Sequence, residues 1–127
     1  MLERLANGLL NINGLQAAYL HGSAARGALR ADSDLDIALL FASGAKADPL
    51  GLLECAGALE SLVGRPVHFG VLDLKSPVFA KEVYTHAITL FEVDGGYAPE
   101  FWMYALAYYA ELNEQRRPVL QAYGVKP

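Results

Sequence analysis

Residues 22–36 read GSAARGALRADSDLD, and the spacing within this stretch determines how the rest of the chain is interpreted. Gly22 and Ser23 follow the short apolar segment 15–20 after one intervening residue, His21, and Asp34-Leu35-Asp36 leads into the apolar segment that ends at Phe41. Short apolar runs bounded by turn residues are typical of strands that enter a core. The sequence therefore predicts a strand, a Gly-Ser turn, ten further residues and a second strand that starts with two aspartates.

The two aspartates are the candidate metal ligands and catalytic carboxylates. Asp34 and Asp36 are two positions apart on a predicted strand, so their side chains should point to the same face, about 6.5–7 Å apart. Two carboxylates on one face repel each other unless a cation lies between them, and Mg²⁺ is bound by carboxylates together with substrate phosphates. An Asp-x-Asp pair alone is commoner at a solvated strand edge. In this context we predict a site for Mg²⁺, with Mn²⁺ as the alternative ion.

Residues just before the aspartates are candidates for binding a nucleotide. Glycine allows the backbone at Gly22 to approach a phosphate closely, and a helix predicted over 23–29 would present free N–H groups beside the Ser23 hydroxyl. Arg26 and Arg30 are four positions apart, so they would share a helix face and either neutralise a triphosphate or face solvent. Ser33, in the turn before the aspartates, is a further predicted nucleotide-binding residue.

The remaining patterns predict an α/β (α+β) domain. Proline and glycine mark the starts and ends of several helices, as in Asp48-Pro49, Gly64 and Ser76-Pro77. We predict helices near 2–12, 49–63, 77–86 and 97–122, and strands near 15–20, 34–41, 67–72 and 88–93. This order predicts a small mixed sheet of about four strands flanked by helices, with a C-terminal helix, in one domain covering residues 1–127.

Composition limits the partners and the compartment. A formal net charge of −4 does not favour direct binding of nucleic acid, and no apolar stretch resembles a membrane span or a signal peptide. The residue set AVILMFWYC makes up 54% of this small chain, so we expect a buried partner surface, in a homo-oligomer or a hetero-oligomer. The aromatic-rich tail is interpreted as core or interface. The single cysteine, Cys55, is predicted to be an inert thiol in a cytoplasmic protein.

Residues 22–36 also match the G-S-x10-D-x-D signature of minimal nucleotidyltransferases with a DNA-polymerase-beta-like palm. The surrounding HGS-x-ARG and SDLDIALL are typical of that family. Segments 67–77 and 88–92 resemble its later strands, and the tail around 108–112 resembles the MntA-like antitoxin branch of HEPN/MNT toxin–antitoxin systems. The resemblance implies transfer of AMP from ATP to a tyrosine of a partner HEPN-type toxin. It implies that Gly22 and Ser23 bind the nucleotide phosphates and that Asp34 and Asp36 bind Mg²⁺.

One position departs from the family pattern. Active members usually carry a third carboxylate on the strand after the long helix, and here the aligned residue is His68. His68 could be a working base or a ligand for a softer metal, it could mark a weakened transferase that still binds nucleotide or partner, or the alignment could be shifted by one position. Asp73 has the wrong strand parity to replace the acid. The sequence does not show whether Glu82 or Glu92 comes close.

Four functions remain to be separated at this point. The first is an enzyme that transfers a nucleotide to a protein tyrosine, and the second is a degenerate transferase fold that neutralises a toxin by forming a complex. The third is transfer to a small molecule, which the short chain disfavours because little of it remains to form an acceptor pocket. The fourth is an unrelated α/β domain in which the motif spacing is accidental.

Overall fold

The computed structural model describes residues 1–23, 25 and 33–124, and these form four helices and four strands. The helix predicted over 23–29 and the predicted site residue Arg26 lie outside the described residues, apart from positions 23 and 25. In chain order the elements are α1 (Leu2–Leu9), β1 (Leu15–His21), β2 (Leu35–Phe41), α2 (Pro49–Val63), β3 (Val67–Val71), α3 (Pro77–His86), β4 (Ile88–Glu92) and α4 (Ala98–Ala122).

The four strands form one mixed sheet in the order β3-β2-β1-β4. Strand β1 pairs antiparallel with both β2 and β4, whereas β2 and β3 are parallel because α2 carries the chain back along the sheet between them. The central strands β1 and β2 are almost entirely buried, as their apolar sequences require. The prediction of a small mixed sheet with flanking helices and a C-terminal helix is confirmed.

Helices cover both faces of the sheet, so each face has its own core. Leu5 of α1 and Leu59 of α2 pack with Ile37 and its neighbours on one face. Tyr19 and Phe101 belong to the second core, which α3 and α4 form on the other face. The predicted site residues Asp34, Asp36 and His68 alternate with residues of the first core, so they belong to the face that α3 and α4 partly cover.

Several predicted boundaries differ from the structure. Helix α1 ends at Leu9 rather than near residue 12, because a turn precedes Gly14. Strand β2 begins at Leu35, so Asp34 precedes it by one residue. Helix α2 begins at Pro49 as predicted, but the Asp48 side chain makes no capping hydrogen bond. Strands β3 and β4 each end one residue earlier than predicted, at Val71 and Glu92. Shifts of one or two residues are ordinary at element ends, and the shift of about three at the end of α1 is larger.

The long C-terminal helix α4 is anchored only by its first third. Its buried residues are Ala98, Phe101, Trp102 and Ala105, while large side chains such as Tyr108 and Val119 are exposed.

Among the described residues, no helix combines the length and the apolar character that crossing a membrane would require.

Candidate functional site

Strand pairing places Asp36 between two histidines. His21 is the last residue of β1 and pairs with Asp36 across the antiparallel ladder, and Asp36 pairs with His68 across the parallel ladder. Residues directly opposite each other in neighbouring strands project to the same face. The structure therefore brings His21, Asp36 and His68 into one row across three strands, at the end of the sheet where β1 ends and β2 and β3 begin.

Asp34 joins this row through a side-chain contact. Its Oδ2 atom lies 3.0 Å from Nε2 of His68, with about half of each side chain exposed to solvent. The contact arises because β2 and β3 run in register from their first residues, where the backbone N–H of Leu35 donates to the carbonyl of Pro66. The two atoms are at hydrogen-bond distance, and the carboxylate oxygen accepts in the tautomer that carries its ring hydrogen on Nε2.

Gly22 has a geometric requirement that connects the two halves of the sequence motif. Its φ angle is +73°, in the left-handed region that glycine adopts without strain. A Cβ atom added to Gly22 would lie only 2.5 Å from Oδ2 of Asp36. The Asp36 carboxylate therefore rests against the backbone of the Gly-Ser turn, which holds the acid and the predicted phosphate-binding backbone side by side.

The electrostatic environment of His21 shows which other groups are near. Burial lowers the pKa of His21, and the negative charges of Asp36 and Glu82 partly oppose that shift. The His21 ring also packs edge-to-face against Phe79, with ring centroids 5.4 Å apart. Since Phe79 and Glu82 both lie on α3, this helix forms one wall beside the row of site residues.

The three acids considered as substitutes for the third carboxylate lie at different distances from the row. Glu82 is the candidate for the third acid that lies nearer the row, because its negative charge raises the pKa of His21 against the larger effect of burial. Glu92 accepts a hydrogen bond from Tyr19 at 2.7 Å and pairs in register with Ala17, toward the opposite end of β1. Asp73 follows the far end of β3 and accepts from the backbone N–H of Lys75. In the described part of the chain, no group of three or more His, Cys, Asp or Glu residues is arranged to hold a metal ion.

The two serines lie where the sequence predicts turns. Ser23 is half-buried in the turn after β1, next to Gly22, and Ser33 is half-buried immediately before Asp34. Two carboxylates with neighbouring backbone and hydroxyl groups match the ligands that Mg²⁺ takes when it binds together with nucleotide phosphates. They do not by themselves make a closed metal site. The donor set therefore fits Mg²⁺ if a nucleotide completes the coordination.

The position of His21 opposite Asp36 was not predicted from the sequence. The motif itself contains an indication of this position. If the strands before and after it pair antiparallel, the residues at the end of the first strand come to lie opposite those at the start of the second. That pairing also depends on an irregularity between Leu15 and Ala17, which shifts the register by one residue. A single sequence gives no means of locating such a shift.

Comparison with protein families gives a direct assignment. The family model described as polymerase beta, nucleotidyltransferase, matches residues 3–95, which is most of the chain. The chain therefore belongs to the polymerase beta nucleotidyltransferase family, as the motif at residues 22–36 predicts. A comparison with curated proteins gave no significant match.

Solved structures with the same fold come from toxin–antitoxin complexes. One chain, from a toxin–antitoxin complex with AMP-PNP, is 27% identical with a TM-score of 0.76, and the match covers 97% of this chain and 98% of that one. A mutant MntA–HpeT complex gives 26% identity and a TM-score of 0.76 over 96% of each chain. A complex of a tri-AMPylated HEPN toxin with an MNT antitoxin from Shewanella oneidensis gives 24% identity and a TM-score of 0.71, over 98% and 100% of the two chains.

Proposed function

We propose that this chain is the antitoxin of a toxin–antitoxin pair, and that it transfers AMP from ATP to a tyrosine of a HEPN-type toxin. The observation that carries the proposal is the close approach of the Asp36 carboxylate to the Gly22 backbone, which brings the predicted phosphate-binding turn beside the predicted metal ligand. The similarity over almost the whole chain to a component of a complex containing AMP-PNP supports the same function.

The proposed reaction is a single displacement at phosphorus. The tyrosine hydroxyl oxygen forms a bond to the α-phosphorus of ATP, the bond from that phosphorus to the oxygen bridging to the β-phosphate breaks, and pyrophosphate leaves. The hydroxyl proton passes to solvent. The product is a tyrosine joined to AMP through a phosphodiester. Mg²⁺ bound with the nucleotide would neutralise charge on the α-phosphoryl group and on the leaving pyrophosphate.

Each site residue has a role in this proposal. Asp34 and Asp36 hold Mg²⁺, or Mn²⁺ in its place, and Gly22 and Ser23 bind phosphate oxygens through the turn that follows β1. Ser33 is close enough in sequence to Asp34 to contribute its hydroxyl to the same end of the sheet. Arg26, which lies in the same motif, is assigned to the triphosphate on its charge alone.

The partner surface is supported by apolar side chains that this chain leaves exposed. On α2, Leu50 and Leu53 are 63% and 70% exposed, and on α4 Met103 and Val119 are 59% and 60% exposed. Helices α2 and α4 lie on opposite faces of the sheet, so these side chains belong to two separate surfaces. We infer a hetero-oligomer with the toxin, in which one of these two surfaces is buried.

A second function is favoured by the contact between His68 and Asp34. The imidazole supplies no negative charge and occupies one carboxylate oxygen of Asp34 with a hydrogen bond. In this alternative the chain is a degenerate nucleotidyltransferase fold that binds its partner, and neutralises it by complex formation rather than by AMP transfer.

One experiment separates the two functions. The chain is incubated with its HEPN partner, ATP and either Mg²⁺ or Mn²⁺, and the partner is examined by mass spectrometry for a tyrosine–AMP adduct. We expect an adduct with the native chain, none with Asp36→Asn, and an unchanged yield with Asp94→Asn. Asp94 is an exposed carboxylate beyond the far end of β4, so its variant controls for loss of charge alone.

The toxin's activity gives the second readout. Under the transferase proposal, Asp36→Asn abolishes neutralisation as well as the adduct. If no adduct forms with either metal and Asp36→Asn still neutralises the toxin, the transferase proposal is wrong and the complex-formation alternative is correct.

A further inference from the structure

A polar and aromatic cleft lies on the face of the sheet that α3 and α4 cover. It has a volume of about 130 Å³ and is formed where β4, α3 and α4 meet, with Tyr19 at its base. Glu92, at one side of the cleft, pairs with Ala17, which is four residues before His21 on β1. Four residues correspond to about 13 Å along a strand, so Glu92 is well separated from the row at the ends of the strands, whereas Tyr19 lies two residues, or about 7 Å, before His21.

A β-bulge in the edge strand places two polar residues on the same side of this cleft. Tyr19 pairs with Thr89, and Ala17 pairs with Glu92, because the register shifts between Ala18 and Tyr19. In a regular strand, residues three apart would point to opposite faces. The shift instead brings Thr89 and Glu92 to the face that carries Tyr19, and both line the cleft. Bulges commonly re-aim side chains in this way at functional sites.

Aromatic rings form the other boundaries of the cleft. The Trp102 ring lies edge-to-face with Tyr19, with centroids 5.4 Å apart and planes at 74°. Tyr84 meets Trp102 from α3, with centroids 5.3 Å apart and planes at 58°. Tyr84 is 55% exposed, whereas Tyr19 and Trp102 are buried. Three rings with non-parallel planes leave aromatic surface around a small space, which is the environment that attracts a cation.

Two hydrogen bonds at the base of the cleft hold the Glu92 side chain in place. Trp102 donates from Nε1 to the Tyr19 hydroxyl at 2.9 Å, and that hydroxyl donates to Oε1 of Glu92 at 2.7 Å. Burial and then Glu92 raise the pKa of Tyr19, so the hydroxyl keeps its proton. Glu92 thus accepts the hydrogen bond at the base of the cleft through Oε1. No Lys or Arg within the described ranges forms an ion pair with it.

We propose that this cleft binds a guanidinium group, which stacks against the aromatic rings and donates to the Glu92 carboxylate. A guanidinium is preferred to an ammonium because its planar face can stack while its N–H groups donate in parallel to a carboxylate. The group could belong to an arginine side chain of another protein or to a small guanidine. The proposal is independent of the transferase function, since none of its residues belongs to the row with Asp36.

The test uses the fluorescence of Trp102, which is the only tryptophan of the chain. The full-length protein is titrated at millimolar concentrations with agmatine, with a capped Gly-Arg-Gly peptide, with n-butylamine and with n-butylurea. We expect a saturable change with both guanidinium compounds, at least fivefold weaker binding of butylamine and no saturable change with butylurea. Tighter binding of the peptide than of agmatine would identify a protein as the source, and the reverse order a small guanidine.

Two variants complete the experiment. Glu92→Gln keeps an acceptor for the Tyr19 hydroxyl but removes the charge, and should weaken agmatine binding at least fivefold. Tyr84→Ala removes an exposed ring and should also weaken it, whereas Asp94→Asn should bind as the native chain does. Circular dichroism verifies that each variant is folded. The proposal is overturned if butylurea or butylamine binds as tightly as agmatine, if no guanidinium compound gives saturation, or if Glu92→Gln binds agmatine normally.

Discussion

Replacing Gly22 with alanine tests whether the contact between the Gly-Ser turn and Asp36 organises the site. At φ +73°, a Cβ atom costs about 1–2 kcal/mol of folding free energy. In addition, the new Cβ would lie 2.5 Å from Oδ2 of Asp36, whereas real Cβ contacts are essentially never shorter than 3.0 Å. The carboxylate must therefore retreat by at least 0.5 Å, the difference between these two distances.

The displacement should reduce binding of a metal–nucleotide complex much more than it reduces stability. Changes that reorient a metal ligand typically cost 10–100-fold in metal affinity, and a tenfold loss corresponds to about 1.4 kcal/mol. We expect a loss in this range for Gly22→Ala. The assay is calorimetric titration with Mg²⁺ and an ATP analogue in which a methylene group bridges the α- and β-phosphates. Urea unfolding measures stability in parallel.

Gly44→Ala is the matched control. Gly44 has a φ angle of +81°, and no atom of the described residues lies within 4 Å of the position that its new Cβ atom would take. This variant carries the backbone cost without the contact to Asp36, so the two variants should lose similar stability while only Gly22→Ala loses binding. Nucleotide binding that is equal in the two variants would refute the role assigned to the contact between Gly22 and Asp36.

Three further predictions concern His68, Cys55 and the packing of α1 against α2. His68→Asp should strengthen binding of the Mg²⁺ complex of the ATP analogue by about tenfold, because aspartate is a hard, charged ligand. His68→Asn should give no gain in binding. Equal gains in the two variants would contradict a role for the added charge. Burial raises the pKa of Cys55, so its alkylation by iodoacetamide at pH 8 should be at least about tenfold slower in the folded chain than in urea. Gly8→Ala places a Cβ 2.5 Å from Cδ2 of Leu59, and the overpacking cost of about 1–3 kcal/mol should exceed the gain of about 1 kcal/mol in helix propensity, so the chain should be less stable in urea unfolding. Gly57→Ala, in an exposed helical position with open space around it, should instead stabilise by about 1 kcal/mol.

Much of the fold could be predicted because its signals are local. Proline begins α2 and α3 at positions 49 and 77, where its fixed φ angle suits a first helical turn. The apolar runs that become β1 and β2 are short, are bounded by turn residues and are rich in residues that pack in a core. Such features depend on a few neighbouring residues, so a single sequence is sufficient to find the elements, although not their last residues.

The arrangement of the site depends on pairings between distant residues, and these could be predicted only in part. Parity along one strand predicts that Asp34 and Asp36 share a face, because the alternation of side chains in a strand is local. The position of His21 opposite Asp36 and the shared face of Thr89 and Glu92 depend on register shifts in the ladders of β1. A shift of one residue exchanges the two faces of a strand, and nothing in the residues themselves marks where it occurs.

The row across the three strands has a consequence for how charge would be balanced at the proposed site. Asp36 has a histidine on each side, and Asp34 is held by one of them, so the row supplies two carboxylate charges. Two negative charges balance one divalent cation. If a second divalent cation were to bind beside the first, the two carboxylates would not offset the repulsion between the two cations. The phosphates of the nucleotide must then provide the remaining negative charge. A site of this kind would bind metal and nucleotide together rather than the metal first, and His68 would determine how strongly it depends on the nucleotide.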